Sequence, residues 1–413
     1  MIRRNRFRAL LLTVAMVQGA SGYSVLSHEA IIDAAWDGSI KPILLQHFPA
    51  ATEDDLRKAH AFTYGGAIIQ DMGYYPFGSH FFSDLTHYVR SGDFVQNLLA
   101  GAQDIDEYAF ALGALAHYAS DNVGHIAVNQ AVPMLYPKVR AKFGDVATYE
   151  DNPTDHLKAE FSFDVAEVAE HNFAPNAYHD FIGFEVSKPL LERAFEQTYG
   201  ISLKEISLSL DLALGTYRHT VSSVIPEMTK VAWQSNKKKL TQATPGLSKR
   251  RFVYVVSRAS YEKEWGSNYE KPRFRQRLFS FLFHVIPKIG PFKALSFQPP
   301  TPAAQKLFMD GFVKTSALYA EKLAEIRAGK KPDLENSNFD IGKPAHFGVY
   351  HLADDTSAKL LLKLEEKKDA PIDPDLRKAI LNFYGKDVPT DPKAAAALGL
   401  LRSTIEPGRL NTG

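Results

Sequence analysis

Asp104-Ile-Asp-Glu-Tyr-Ala-Phe-Ala-Leu-Gly-Ala-Leu-Ala-His117-Tyr-Ala-Ser-Asp121-Asn-Val-Gly-His125-Ile-Ala-Val128 reads as one long, mostly apolar helix of the kind buried on nearly every side. Helical spacing continues outward from it. Ala109, Leu112, Leu115 and Ala116 share a stripe, as do Leu56, Ala59, Tyr64, Ile68 and Ile69, and the pattern holds from His28 to about Gln234. Strand-like alternation is brief, at Arg251–Val256. The expected fold class is therefore all-α: a multi-helix bundle, followed by a C-terminal, mostly helical extension.

The chain has 413 residues, more than the roughly 250–300 at which one core stops growing, so a large core with an accessory region is expected. With 45% apolar and 23% charged residues the composition is that of a globular protein. No cysteine is present, which excludes disulfides, iron–sulfur clusters, thiolate zinc sites and thiol catalysis. Any metal must be held by His, Asp, Glu or backbone.

Residues 1–22 read as a signal peptide: Arg3, Arg4, Arg6 and Arg8, an apolar run from Ala9 to Val17, then Ala20-Ser21-Gly22. Cleavage there makes Tyr23 the new amino terminus, leaves a net charge of −3, and implies a secreted or periplasmic protein. Residues 23–236 form the expected helical domain. Residues 237–300 are basic and aromatic; Lys237 to Lys293 carries 14 basic and three acidic residues, with Phe274, Phe279, Phe281 and Phe283 among its rings. This region reads either as a solvated face over ordinary packing or as a surface for anionic membrane lipids. Residues 301–413 are the C-terminal extension, with helical runs at Ala303–Ala328, Ser357–Lys368 and Pro374–Tyr384.

Five of the 14 histidines fall at chemically meaningful spacings. His117, Asp121 and His125 stand four residues apart and project from one helix face. His156 and Glu160 repeat the device on a second helix, with Thr154-Asp155 as its expected cap. Burying a carboxylate and two imidazoles on an apolar helix is costly unless they are paired or coordinated. Imidazole nitrogen and carboxylate oxygen are donors that zinc accepts. The turn-forming stretch Asp71-Met-Gly-Tyr-Tyr-Pro-Phe-Gly-Ser-His80 adds a carboxylate and an imidazole, and His28 lies five residues from Tyr23. His87 reads as a surface or capping residue, with a role orienting a ligand as the alternative. His346 and His351, in a loop-like segment with Asp340, Asp354 and Asp355, read as structural.

This ordered series resembles the zinc-dependent phospholipase C family, whose members are helical, secreted and hold three zinc ions; fungal single-strand nucleases share that fold. The resemblance covers Tyr23 to roughly residue 175. It implies that Asp71, His80, His117 and Asp121 hold one zinc. Tyr23, through its amine and carbonyl, would hold a second with His28 and a bridging Asp121, while His125, His156 and Glu160 would hold the third. It further implies that Asp71 orients or deprotonates the attacking water and that Phe77 contacts the substrate headgroup. Met72 stands where the family has a tyrosine, and Ser24–Ser27 offers no acidic residue, so the choline-contacting set is incomplete.

The implied activity is that of a zinc-dependent phosphodiester hydrolase, most simply phospholipase C-type cleavage of a phospholipid headgroup by metal-activated water. Two other readings are a nuclease or nucleotidase on the same metal core, and a metal-containing lipid-surface binding protein without turnover. No G-x-S-x-G elbow, phosphate-binding loop or zinc-finger pattern occurs.

Overall fold

The computed structural model describes residues 25–75, 77–170, 184–206, 209–219, 233, 237–238, 241–242, 297–367 and 371–403. Residues 1–22, expected to be a signal segment, Tyr23, the alternating stretch Arg251–Val256 and nearly all of the basic region lie outside the described residues. What is described is all-α apart from one two-residue strand pair.

In chain order, α1 (Val25–Ala35) passes through a π-helical turn (Trp36–Ile40) into α2 (Lys41–His47). Then come α3 (Glu53–Ile68), a 3-10 turn (Ile69–Tyr74), α4 (His80–Tyr88) and α5 (Ser91–Gly101). The long α6 (Ile105–Leu135) is followed by α7 (Pro137–Phe143), α8 (Pro153–Glu170), α9 (Lys188–Tyr199), α10 (Leu203–Ile206) and α11 (Leu210–His219). The C-terminal part supplies α12 (Pro302–Arg327), β1 (Ser337–Asn338), β2 (Lys343–Pro344), α13 (His351–Glu366), α14 (Pro374–Tyr384) and α15 (Pro392–Ser403).

Helix α6 is the axis of the molecule, packed by α1, α3, α5, α8 and α12. Asp104 caps it, its carboxylate accepting from the Glu107 amide. Apolar residues all round the helix, including Phe110, Leu112, Leu115 and Val128, are fully buried. Its crossing with α3 is so close that a Cβ on Gly113 would stand 2.0 Å from the Thr63 carbonyl, so only glycine fits there. Beyond Val128 the helix runs on through Pro133, which cannot donate to the Asn129 carbonyl. That carbonyl accepts from the Ala147 amide at 3.0 Å instead, so a loop residue makes good the bond that proline removes.

The C-terminal helices share the same hydrophobic core, which extends from Val25 to Leu401. Helix α12 lies along α6, and the buried Tyr319 hydroxyl donates to the Leu112 carbonyl at 3.0 Å. Among the described residues no helix is long and apolar enough to cross a membrane.

Candidate metal centre

Four elements bring donors to α6. Helix α1 carries His28, and its start is fixed by α8: Asp164 accepts from the Leu26 amide at 3.1 Å and from the Ser27 hydroxyl at 2.5 Å. The 3-10 turn carries Asp71. It can pack onto α4 because Gly73, where a Cβ would stand 2.0 Å from the Ser79 carbonyl, has no side chain, and because its amide donates to Ser83 Oγ at 2.9 Å. Helix α4 presents His87 from its last turn. Helix α8 brings His156 and Glu160; its cap is Asn152, accepting from the Asp155 amide at 3.1 Å, ahead of Pro153 as first helical residue, rather than the expected Thr154-Asp155.

These donors converge on the carboxylate of Asp121, which is fully buried. Its Oδ1 lies 3.6 Å from His28 Nε2. Its Oδ2 lies 3.1 Å from His117 Nε2, 3.3 Å from His87 Nε2 and 3.5 Å from His125 Nε2. Asp71 faces the same centre, with Oδ1 3.3 Å from His87 Nε2 and Oδ2 3.9 Å from His28 Nε2. Two triads have donor atoms all within 4.8 Å of one another: His28, His117 and Asp121, and Asp71, His87 and His117. Beside them, His125 and His156 have ring centroids 5.6 Å apart, and His156 Nε2 lies 2.6 Å from Glu160 Oε1.

The structure thus gathers His28, Asp71, His117, Asp121, His125, His156 and Glu160 in one buried region. It does not bring His80 there. His80 is the first residue of α4, exposed, with its ring edge-on to Tyr74. His87, two helical turns further on, stands where the sequence reading expected His80. Phe77 is exposed in the turn between the Asp71 segment and α4, with a φ of 64° that strains a non-glycine backbone. Tyr23 lies outside the described residues.

Several groups are fixed in metal-binding form. His117 Nδ1 lies 2.8 Å from the Ala67 carbonyl and His87 Nδ1 lies 2.7 Å from the Ser83 carbonyl. A carbonyl can only accept, so each ring carries a proton on Nδ1 and turns Nε2 toward the carboxylates. Both oxygens of Asp71, Asp121 and Glu160 are buried with no donor in hydrogen-bonding geometry among the described residues. Such orphaned carboxylates are costly without a cation. Nitrogen and oxygen donors with no thiolate suit zinc, so the residues present fit that metal.

The electrostatics agree. Burial raises Asp121, but His117, His125 and His87 outweigh it and hold the carboxyl well below its usual range. Burial, then neighbouring His125, pushes His156 down to about 3, leaving a neutral nitrogen donor; burial and His117 lower His28 as well. Glu160 is pushed well up by burial and by the nearby carboxylates. His87 goes the other way. Burial lowers it, but the carboxylates of Asp121 and Asp71 beside it lift it to about 10.

That last shift predicts a proton balance. Below about pH 10 the metal-free site keeps a proton on His87 Nε2, and a cation must displace it to use that nitrogen. Zinc uptake at pH 7 should therefore release at least one proton, and apparent affinity should rise about tenfold per pH unit across the neutral range. Calorimetric titration in two buffers of different ionisation heat measures the release. Identical heats in both would show that His87 gives up no proton to the metal.

No curated protein sequence and no solved structure shows a significant match to the chain. A family model does match, over an interval that takes in every gathered donor named above and ends well before the C-terminal helices. Residues 27–208 match the family described as zinc dependent phospholipase C.

Proposed function

We propose that the protein is a zinc-dependent phosphodiester hydrolase acting as a phospholipase C, cleaving a phospholipid between glycerol and phosphate. The observation that carries this reading is the Asp121 carboxylate, shared among four imidazoles and flanked by Asp71, within a domain of that family. Zinc, when bound, supplies Lewis-acid polarisation of the phosphoryl oxygens and acidifies a water. His28, Asp71, His87, His117 and Asp121 would hold two ions, with Asp121 bridging, and His125, His156 and Glu160 a third.

Asp71 has a second task in this reading. Burial raises its pKa, which suits it to accept a proton from the attacking water while orienting that water toward phosphorus. Phe77, exposed after the Asp71 turn, would contact the headgroup. A leader cut after Gly22 would place the enzyme outside the cytoplasm. The net positive charge and phenylalanines of 237–293 would favour anionic lipid surfaces.

The test is phosphodiesterase activity of the mature chain on a chromogenic phosphocholine ester, on neutral and anionic phospholipid vesicles, and on single-stranded DNA. Each is measured before chelation, after it, and after zinc is restored. Phosphomonoester and diacylglycerol release, lost on chelation and recovered with zinc, is expected. Turnover of DNA alone would transfer the site to the nuclease reading. Inactivity on every substrate with zinc bound would leave the non-catalytic lipid-binding reading.

A further inference from the structure

We propose that Asp340, contributed by the C-terminal part beyond the family domain, is a positioning residue of the metal centre that sets the tautomer and aim of His125. The inference rests on the zinc reading above. The β1–β2 hairpin is wedged against the site: the Phe339 amide donates to the His87 carbonyl at 3.1 Å, and the Phe339 ring packs edge-on to His87 at 5.5 Å. Ser91 Oγ donates to the Ser337 carbonyl at 2.6 Å and accepts from the Ser337 amide at 3.1 Å. The hairpin so held delivers a fully buried carboxylate to α6.

Both oxygens of that carboxylate have close polar neighbours. Oδ1 lies 2.8 Å from His125 Nδ1. Oδ2 accepts from the Tyr88 hydroxyl at 3.1 Å and from the Tyr350 hydroxyl. The backbone is pinned as well, since Asn129 Nδ2 donates to the Asp340 carbonyl at 2.6 Å. At 2.8 Å an unprotonated Nδ1 would set its lone pair against those of Oδ1, so the imidazole places its proton on Nδ1 even though the contact lies outside hydrogen-bond geometry. Nε2 faces the Asp121 side of the site, 3.5 Å from Oδ2, where it would be the donor to a cation. His87 and His117 have backbone carbonyls in this role; His125 alone of the three has a carboxylate, a partner that raises ligand basicity further. The C-terminal part therefore completes the centre rather than merely covering it.

Asp340→Asn keeps the size of the side chain and removes its charge. Its affinity for one zinc ion should fall by about 10–100-fold, with the remaining ions unaffected, read by competition with a fluorescent chelator and by metal content after dialysis. Tyr350→Phe is the control, because it removes a partner of Asp340 while leaving the His125 contact in place. A merely structural Asp340 would make both variants lower the melting temperature of the metal-free protein and leave zinc affinity within twofold of wild type. That outcome, or equal zinc loss in both variants, overturns the proposal. Histidine-labelled wild-type protein gives a second measurement that needs no variant to fold: in the zinc-loaded protein His125 should carry its proton on Nδ1, and a ring protonated on Nε2 instead would refute the assignment. Wild-type protein holding no zinc at all would overturn the zinc reading and this inference together, and is seen before any variant is made.

Discussion

Asp121→Asn is expected to lose at least two zinc ions per chain at once and to fall by about 10³-fold or more in phosphodiesterase activity. No other carboxylate in the site is shared so widely: one oxygen faces His28 and the other faces His87, His117 and His125. An amide keeps the shape but removes the charge, and it offers one acceptor where two are needed. A ligand that serves two ions, as proposed for Asp121, could not be weakened for one alone. Metal-ion stabilisation of a phosphoryl transition state is worth several kcal/mol, and each 1.36 kcal/mol is tenfold in rate, which sets the size of the loss. Glu160→Gln makes the contrast. Glu160 stands beside His156 at the edge of the cluster, so its variant should lose one ion and keep the pair around Asp121. Elemental analysis of the two proteins, with circular dichroism to confirm retained helix, measures both. A full complement of zinc in Asp121→Asn would mean that the carboxylate bridges nothing.

The part of this arrangement carried on single helices was legible in the sequence. His117, Asp121 and His125 on α6, and His156 and Glu160 on α8, are related by four-residue steps that any helix turns into one face. The apolar stripes around Leu56 and Leu112 likewise predicted α3 and α6 and their burial, because periodicity reports directly on which face is covered. Two things were not legible. The extension of α6 past Val128 depends on Ala147 donating to the carbonyl that Pro133 leaves free, a contact with a loop that local pattern does not contain. The role of Asp340 depends on a hairpin reaching α6 from more than two hundred residues away, with no helical period to link it to His125. A lone aspartate in a loop reads as structural until the fold shows what stands opposite it.

His87→Ala is expected to lose at least one zinc ion and most of the activity, whereas His80→Ala should keep its full metal content. The two histidines are seven residues apart on α4, so they share a face but differ by about 10 Å along the helix axis. The sequence reading puts His80 at the metal centre and reads His87 as a surface or capping residue. The family resemblance favours His80 through the residues around it. The geometry favours His87, whose Nε2 lies 3.3 Å from both Asp71 and Asp121 while its Nδ1 is held by the Ser83 carbonyl. His80 sits at the solvent-facing start of the helix instead. Changing a group that only orients a ligand typically costs 10–100-fold in metal affinity, so removing a direct donor should exceed about 100-fold. Loss of His87 also leaves Asp71 and Asp121 facing one another without the imidazole between them. Zinc affinity of both variants, measured by chelator competition at one pH, separates the assignments. If His80→Ala releases zinc and His87→Ala retains it, α4 must present its first turn, not its last, to the bound metal.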